Sequence, residues 1–193
     1  MRNAIALIAA IISSAGAIPY IIDTIKGKTH PNIVTWVTYA LINGINAVVA
    51  LNAGAPRTAV LSIFACAATA TIAVMGIKHG VKKYTAFDIA CQALAIAGII
   101  IWQLTGTPAL AVAIALSVMV VASLPTWRHA WMEPQAENWQ GFAIGGFGSL
   151  LTITSISEFN FIALAFPIAI TLNSAIVVAV VLSRRRQATP QPS

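Results

Sequence analysis

A chain of 193 residues that is 59% hydrophobic and only 8% charged cannot hide its apolar side chains in one water-soluble core, because a domain of that size leaves roughly a third of its unfolded area exposed. Its mean hydropathy of +0.86 makes lipid the solvent for most of those side chains. The net charge of +6 does not indicate nucleic acid, because the basic residues lie between apolar runs and at the C-terminal end, where topology and anionic headgroups account for them.

A membrane-crossing helix needs about 20 apolar residues, with about 17 as the lower bound. On that ruler seven helices are predicted, over 4–22, 33–51, 58–76, 86–104, 108–124, 140–156 and 161–182. The first run carries Pro19 near its end, with apolar Ile21 and Ile22 still following. A proline inside a helix removes one backbone hydrogen bond and crowds the preceding turn, so Pro19 is a candidate hinge. The same run has signal-peptide features, Arg2 ahead of it and the small residues Ala15, Gly16 and Ala17 within it; cleavage there would remove a helix. Pro31 is expected to start the second helix, which offers Asn43 and Asn46, three residues apart and therefore on one face. The third run offers Thr69 and Thr71, with Cys66 as a buried thiol.

The fourth run has few polar residues, chiefly Asp88 and Gln92, and holds the second cysteine, Cys91. Only Thr105, Gly106 and Thr107 separate it from the fifth, which ends near Pro125, a second candidate hinge. Pro134 is expected to start the sixth helix, where Gly141, Gly145, Gly146 and Gly148 mark close packing. The seventh carries Thr171, Asn173 and Ser174 near its middle and ends in three arginines, read as a basic stop before a short disordered end. Polar side chains at such depths are costly and tend to face the bundle interior or a wet cavity.

The chain also contains a near-repeat. PYIIDTIKGKTHPNIVTW (19–36) returns as PTWRHAWMEPQAENW (125–139) once three residues are removed from the first copy. Pro19 then falls on Pro125, while Pro31 and Pro134, and Trp36 and Trp139, stand 103 positions apart. The expected fold is an all-α integral membrane protein of seven transmembrane helices, built as two parallel three-helix repeats joined by a linker helix in a 3+1+3 arrangement. Its segments are 1–77, the linker region 78–106, 107–183 and a basic tail 184–193. The same offset sets Asn173 opposite Ala70, between Thr69 and Thr71. Asn173, Thr69, Thr71, Asn43 and Asn46 are therefore the candidate substrate-binding residues. For each, helix–helix hydrogen bonding is the competing assignment.

Nine of the eleven Lys and Arg residues fall on one face of the membrane and two, Arg2 and Arg57, on the other. The positive-inside rule then places the N-terminus outside and the C-terminus in the cytoplasm, in a plasma or inner membrane. Trp127, Trp131 and Trp139 are read as an aromatic belt at the cytoplasmic interface. Asp23, Glu133, Glu137 and Glu158, with His30, His79 and His129, are read as interfacial; Asp88 is the candidate coupling group. No nucleophile–base set and no metal-ligand spacing is seen, so neither an enzyme nor a cofactor is expected.

The pattern Pro19-Tyr20, Ile25-Lys26-Gly27-Lys28-Thr29, Pro31 and Thr35-Trp36, with the seven-helix arrangement, resembles the PQ-loop and SWEET transporter superfamily. Tyr20 and Thr126 stand where a PQ motif has Gln, and the literal Pro134-Gln135 pair lies out of that frame. The resemblance implies alternating access, with two triple-helix bundles rocking about a midplane site for a small polar solute and Pro19 and Pro125 flexing near the cytoplasmic gate. The expected partners are the lipid bilayer and that solute, and a homo-oligomer is compatible. Two other readings remain open: a non-transport sensor or assembly factor with a dry centre, and a nicotinamide-riboside-type vitamin transporter with an aromatic-rich pocket.

Overall fold

The computed structural model describes residues 1–80, 107–157 and 159–188, with scattered positions (85, 86, 89, 90, 93, 97, 100 and 104) between the first two stretches. The predicted linker helix, with Asp88, Cys91 and Gln92, and the loop residue Glu158 lie outside the described residues.

Among the described residues the protein is all-helical, and we number its helices as follows. They are α1 (Arg2–Ala15), α2 (Ala17–Ile25), α3 (Ile33–Asn52), α4 (Pro56–His79), α5 (Pro108–Met132), α6 (Trp139–Ser155) and α7 (Phe161–Ala188), with a single 3-10 turn at Pro134–Ala136. Five stretches are long and apolar enough to cross a membrane: α1 with α2, α3, α4, α5, and α7. The sixth predicted span, α6, has 17 residues, or roughly 25 Å at 1.5 Å per residue, just short of a hydrocarbon core. Large apolar side chains such as Leu7, Ile8, Ile63, Val74, Phe147 and Leu172 point outward and are exposed. Such surfaces are compatible with an integral membrane protein and costly in water.

The helix ends are built by local chemistry. Asn32 caps α3, its side-chain oxygen accepting from Val34 N–H at 3.0 Å, and Asn138 caps α6 by accepting from Gly141 N–H at 2.6 Å. Pro31 and Pro134 were expected to begin these helices; instead Pro31 precedes the Asn32 cap and Pro134 opens the 3-10 turn. An asparagine satisfies a free helix N–H, which a proline cannot do. Two helices stop in the same way. Lys28 N–H bonds Asp23 C=O and Gly27 N–H bonds Thr24 C=O after α2, while Ala55 bonds Ala50 and Gly54 bonds Leu51 after α3. Both turns need a left-handed residue, supplied by Gly27 at φ +69° and Gly54 at φ +72°.

The prolines act differently from one another. Pro19 has no N–H for the Ala15 carbonyl and its ring crowds that turn, so the hydrogen-bond ladder is interrupted at Gly16, whose backbone stays helical at φ -58° and ψ -24°, and the first run divides there into α1 and α2. Pro125 does not end its helix, since α5 runs on to Met132. The basic stop is likewise helical: α7 continues through Arg184, Arg185 and Arg186. At 28 residues α7 is roughly 42 Å long, so its last turns can stand clear of the hydrocarbon.

Packing follows a regular scheme. Helix α4 lies against both α1 and α3, which do not touch each other among the described residues; α7 likewise lies against α5 and α6, which do not touch. Between the two triplets, α1 packs on α6 and α3 on α5, with a smaller contact of α4 on α7. Exchanging α1 with α5, α3 with α6 and α4 with α7 leaves this set of contacts unchanged. The α1–α6 crossing depends on glycine. A Cβ on Gly148 would lie 2.2 Å from Ser13 N, and one on Gly16 would lie 2.4 Å from Gly141 O. The close-packing role expected of the α6 glycines is therefore met at Gly141, Gly146 and Gly148, the last two against Ser174 and Ser13.

Candidate functional site

Between the two triplets lies a cavity of about 120 Å³ walled by α1 and α2, α3, α4, α5, α6 and α7. That volume exceeds the space of several water molecules. Its wall is mostly apolar, and five rings line it: Tyr20, Trp36, Tyr39, Phe142 and Phe166. Four of these form one cluster. Tyr20 sits 4.8 Å from Trp36 centroid to centroid, Phe142 stands edge-on to Tyr20 at 6.1 Å, and Tyr39 edge-on to Trp36 at 5.7 Å. These geometries are favourable beyond burial alone.

A polar thread crosses the wall. The Asn173 Oδ1 accepts from the Trp127 indole N–H at 2.9 Å, and its amide nitrogen lies 3.5 Å from the Tyr39 hydroxyl. The Tyr39 and Ser123 hydroxyls are 2.6 Å apart, and Ser123 donates to the Met119 carbonyl at 2.6 Å. Helices α3, α5 and α7 are thus joined through Asn173. Beside this thread, Asn43 donates to the Tyr39 carbonyl at 2.7 Å, and its own side-chain oxygen is buried without a partner. The Ser14 hydroxyl, on another lining residue, is in the same state. A buried acceptor without a partner costs roughly 1–3 kcal/mol, so each can gain from a donor that enters the cavity.

The expected binding residues divide. Asn173, Asn43 and Thr69 line the cavity. Thr69 spends its hydroxyl on the Ala65 carbonyl at 2.7 Å, so its methyl is its main contribution. Asn46 does not line the cavity: it donates to Ser62 at 2.7 Å and ties α3 to α4. Thr71 is exposed on the outer face of α4 and bonds Ala67. Two residues along a helix turn the side chain by about 200°, so Thr69 and Thr71 could not both face inward. Of the hinge candidates, Pro19 lies on α2 one residue before Tyr20, and Pro125 is buried inside α5 between Ser123 and Trp127.

Sequence reasoning missed Tyr39, Ser123 and Trp127, and one signal was available. Tyr39 lies one helical turn before Asn43, on the same face. Trp127 was assigned to an interfacial belt but packs on the core and bonds Asn173. Glu137 was read as interfacial, yet it is only 3% exposed. Comparison of the chain with family models, with curated proteins and with solved structures gives no match.

Proposed function

We propose that this chain is an integral membrane transporter that moves a small solute, with polar groups and a flat apolar face, by alternating access between two triple-helix units. The single observation that carries this reading is the cavity between the triplets, whose lining residues include two with buried, unpartnered polar atoms, Asn43 Oδ1 and Ser14 Oγ. A bundle that served only as a scaffold would gain by filling that space, since voids and orphaned acceptors both cost stability. The exchange-invariant packing of α1, α3, α4 against α5, α6, α7 supports a duplicated 3+1+3 origin. It also supports rocking of one unit on the other around a central site. With the break at Gly16 beside Pro19 and the interior Pro125, each unit has a weakened helix at the same end. The kinship with PQ-loop and SWEET proteins, and the N-outside, C-inside orientation, form part of this proposal.

A second reading, a vitamin transporter of the nicotinamide-riboside type, is favoured by the five rings in the cavity wall. Planar heteroaromatic solutes stack on such rings, whereas a sugar presents hydroxyls on most sides. Both readings are tested by uptake into liposomes carrying the purified protein, with a panel of sugars, amino acids and vitamins. Uptake of one class, lost in Asn173→Ala while the protein still elutes as a folded species, is the expected result. No uptake above protein-free liposomes for any class would remove the transport reading in favour of a sensor or assembly factor.

A further inference from the structure

One ionisable pair, a buried glutamate and a partly exposed histidine, lies behind the cavity wall at Tyr20 and takes no part in the site described above. Glu137 follows the 3-10 turn ahead of α6 and is 3% exposed. One carboxylate oxygen, Oε2, lies 3.2 Å from His129 Nδ1 on α5. The other, Oε1, is buried without a well-formed hydrogen bond. Tyr20, on the cavity wall, has its hydroxyl within reach of the Glu137 carboxylate. The neighbouring residue, Asn138, donates to the Asp23 carboxylate on α2. The loop that carries Glu137 is therefore fastened to the short segment beyond the Gly16 break, and that segment carries Tyr20 and, through it, the packing on Trp36 and Phe142.

The other charged or titratable groups around the pair are few. Glu133, largely exposed at the end of α5, lies 3.6 Å from His129 Nε2. Arg185 on α7 donates to the Pro134 and Glu137 backbone carbonyls at 3.0 Å each. From α2, Asp23 bonds the adjacent Asn138 and Tyr20 reaches Glu137, and Tyr39 from α3 is within range of the Glu137 charge.

We propose that Glu137 and His129 together form a proton-binding site that latches the cavity, so that solute movement is coupled to proton exchange at that end of the protein. With one proton on the pair, imidazolium faces carboxylate, the net charge is zero and the loop stays seated on α2. When that proton passes to water as hydronium, a carboxylate remains buried beside a neutral imidazole. A buried carboxylate that loses its imidazolium partner is costly even with Arg185 on the nearby backbone carbonyls, and the cost falls if the loop lifts and water reaches Oε1. Lifting it would release Asn138 from Asp23, let α2 swing at Gly16 and open the wall at Tyr20. Histidine is the side chain whose ordinary charge change falls between about pH 5 and 8, and the proton belongs to the coupled pair rather than to either residue.

The purpose of the latch rests on the transport reading, but its test does not need a solute. A reporter cysteine is placed at the cavity wall, A17C, in a Cys66→Ala, Cys91→Ala background of the full chain in vesicles. Its reaction with a charged, membrane-impermeant thiol reagent is followed from the side bearing Glu137, between about pH 5 and 8. Labelling is expected to speed up about fivefold or more as pH rises, the lower end of ordinary coupling free energies. In Glu137→Gln, isosteric and neutral, the rate should stay slow and flat while circular dichroism and elution volume are unchanged. His129→Gln should flatten the profile as well. A pH-independent rate in the parent, faster labelling at low pH, or a Glu137→Gln profile matching the parent would each overturn the latch. Failure of solute uptake with an intact labelling profile would sink the transport reading and leave the proton site standing.

Discussion

The Thr58 hydroxyl on α4 donates to the Ala163 carbonyl on α7 at 2.8 Å, and Ala163 is the residue whose helical partner is missing. Four residues further along α7 stands Pro167, which has no N–H to offer. A hydroxyl from the opposite triplet supplies the donor instead. The Pro167 carbonyl is served from both sides, by Ser149 at 2.9 Å and Thr171 at 2.8 Å. This is the adjustment a proline in a membrane helix requires, because no water is at hand to satisfy the freed groups.

The Thr58→Val variant should therefore lose about 1–2 kcal/mol, more than the 0.6 kcal/mol average for an interhelical bond, because it strands a buried acceptor. Thermal unfolding in detergent reads the loss. In a Pro167→Ala background, where α7 can bond Ala163 itself, the cost of Thr58→Val should shrink. An equal cost in both backgrounds would break the link between the two residues.

The α1–α6 crossing should tolerate no side chain at Gly148. A Cβ there would meet Ser13 N at 2.2 Å and Ala9 O at 2.7 Å, both backbone atoms that cannot step aside alone. Gly148→Ala should cost about 1–3 kcal/mol, as other overpacked sites do, and Gly148→Val should not yield a monodisperse protein. Gly44, whose nearest neighbour is Cys66 Sγ at 3.6 Å, should accept alanine with little change. Melting temperatures of the two alanine variants give the comparison.

Asparagines one turn apart should behave oppositely. Asn46→Leu removes the bond to Ser62 and should lower stability by about 1 kcal/mol while leaving any solute affinity unchanged. Asn43→Leu, which removes an unpartnered oxygen from the lining, should keep or raise stability and weaken uptake. Thr71→Ala, on the outer face, should alter neither. Uptake and melting measured on the same preparations separate the three.

If a planar solute occupies the cavity, Trp36→Leu should raise its half-saturating concentration by about fivefold, in line with a stacking contribution of about 1 kcal/mol beyond burial. Trp131, which is exposed with the Arg184 guanidinium 4.7 Å from its ring centroid, serves as the control, since Trp131→Leu should leave transport as it was. Uptake that is insensitive to Trp36 would favour a sugar-like solute.

Much of the helical layout was legible before any coordinates. The second and sixth predicted runs, 33–51 and 140–156, match α3 and α6 to within a residue or so, because glycine, asparagine and proline punctuate the chain where lipid-facing runs stop. The runs at 58–76 and 161–182 were cut short, since charged residues were taken as ends although helices can carry them beyond the hydrocarbon. The site was less legible. Asn173, Asn43 and Thr69 were named and do line the cavity, but the aromatic wall was not foreseen.

Composition alone pointed to apolar surroundings, because a chain that is 59% hydrophobic cannot hide its side chains in one water-soluble core. Spacing placed Asn43 and Asn46 on one buried face, but it also named Thr71, which is exposed on the outside of α4. Only the tertiary structure decided what those groups touch. The bearing of a helix about its axis is set by its neighbours, and a rotation of one residue, about 100°, carries a side chain from cavity to lipid. For the same reason Asn46 became a strut and Asn43 an open acceptor, Trp127 turned inward to Asn173, and a loop glutamate, folded under by Asn138 and Arg185, ended as the most deeply buried carboxylate among the described residues.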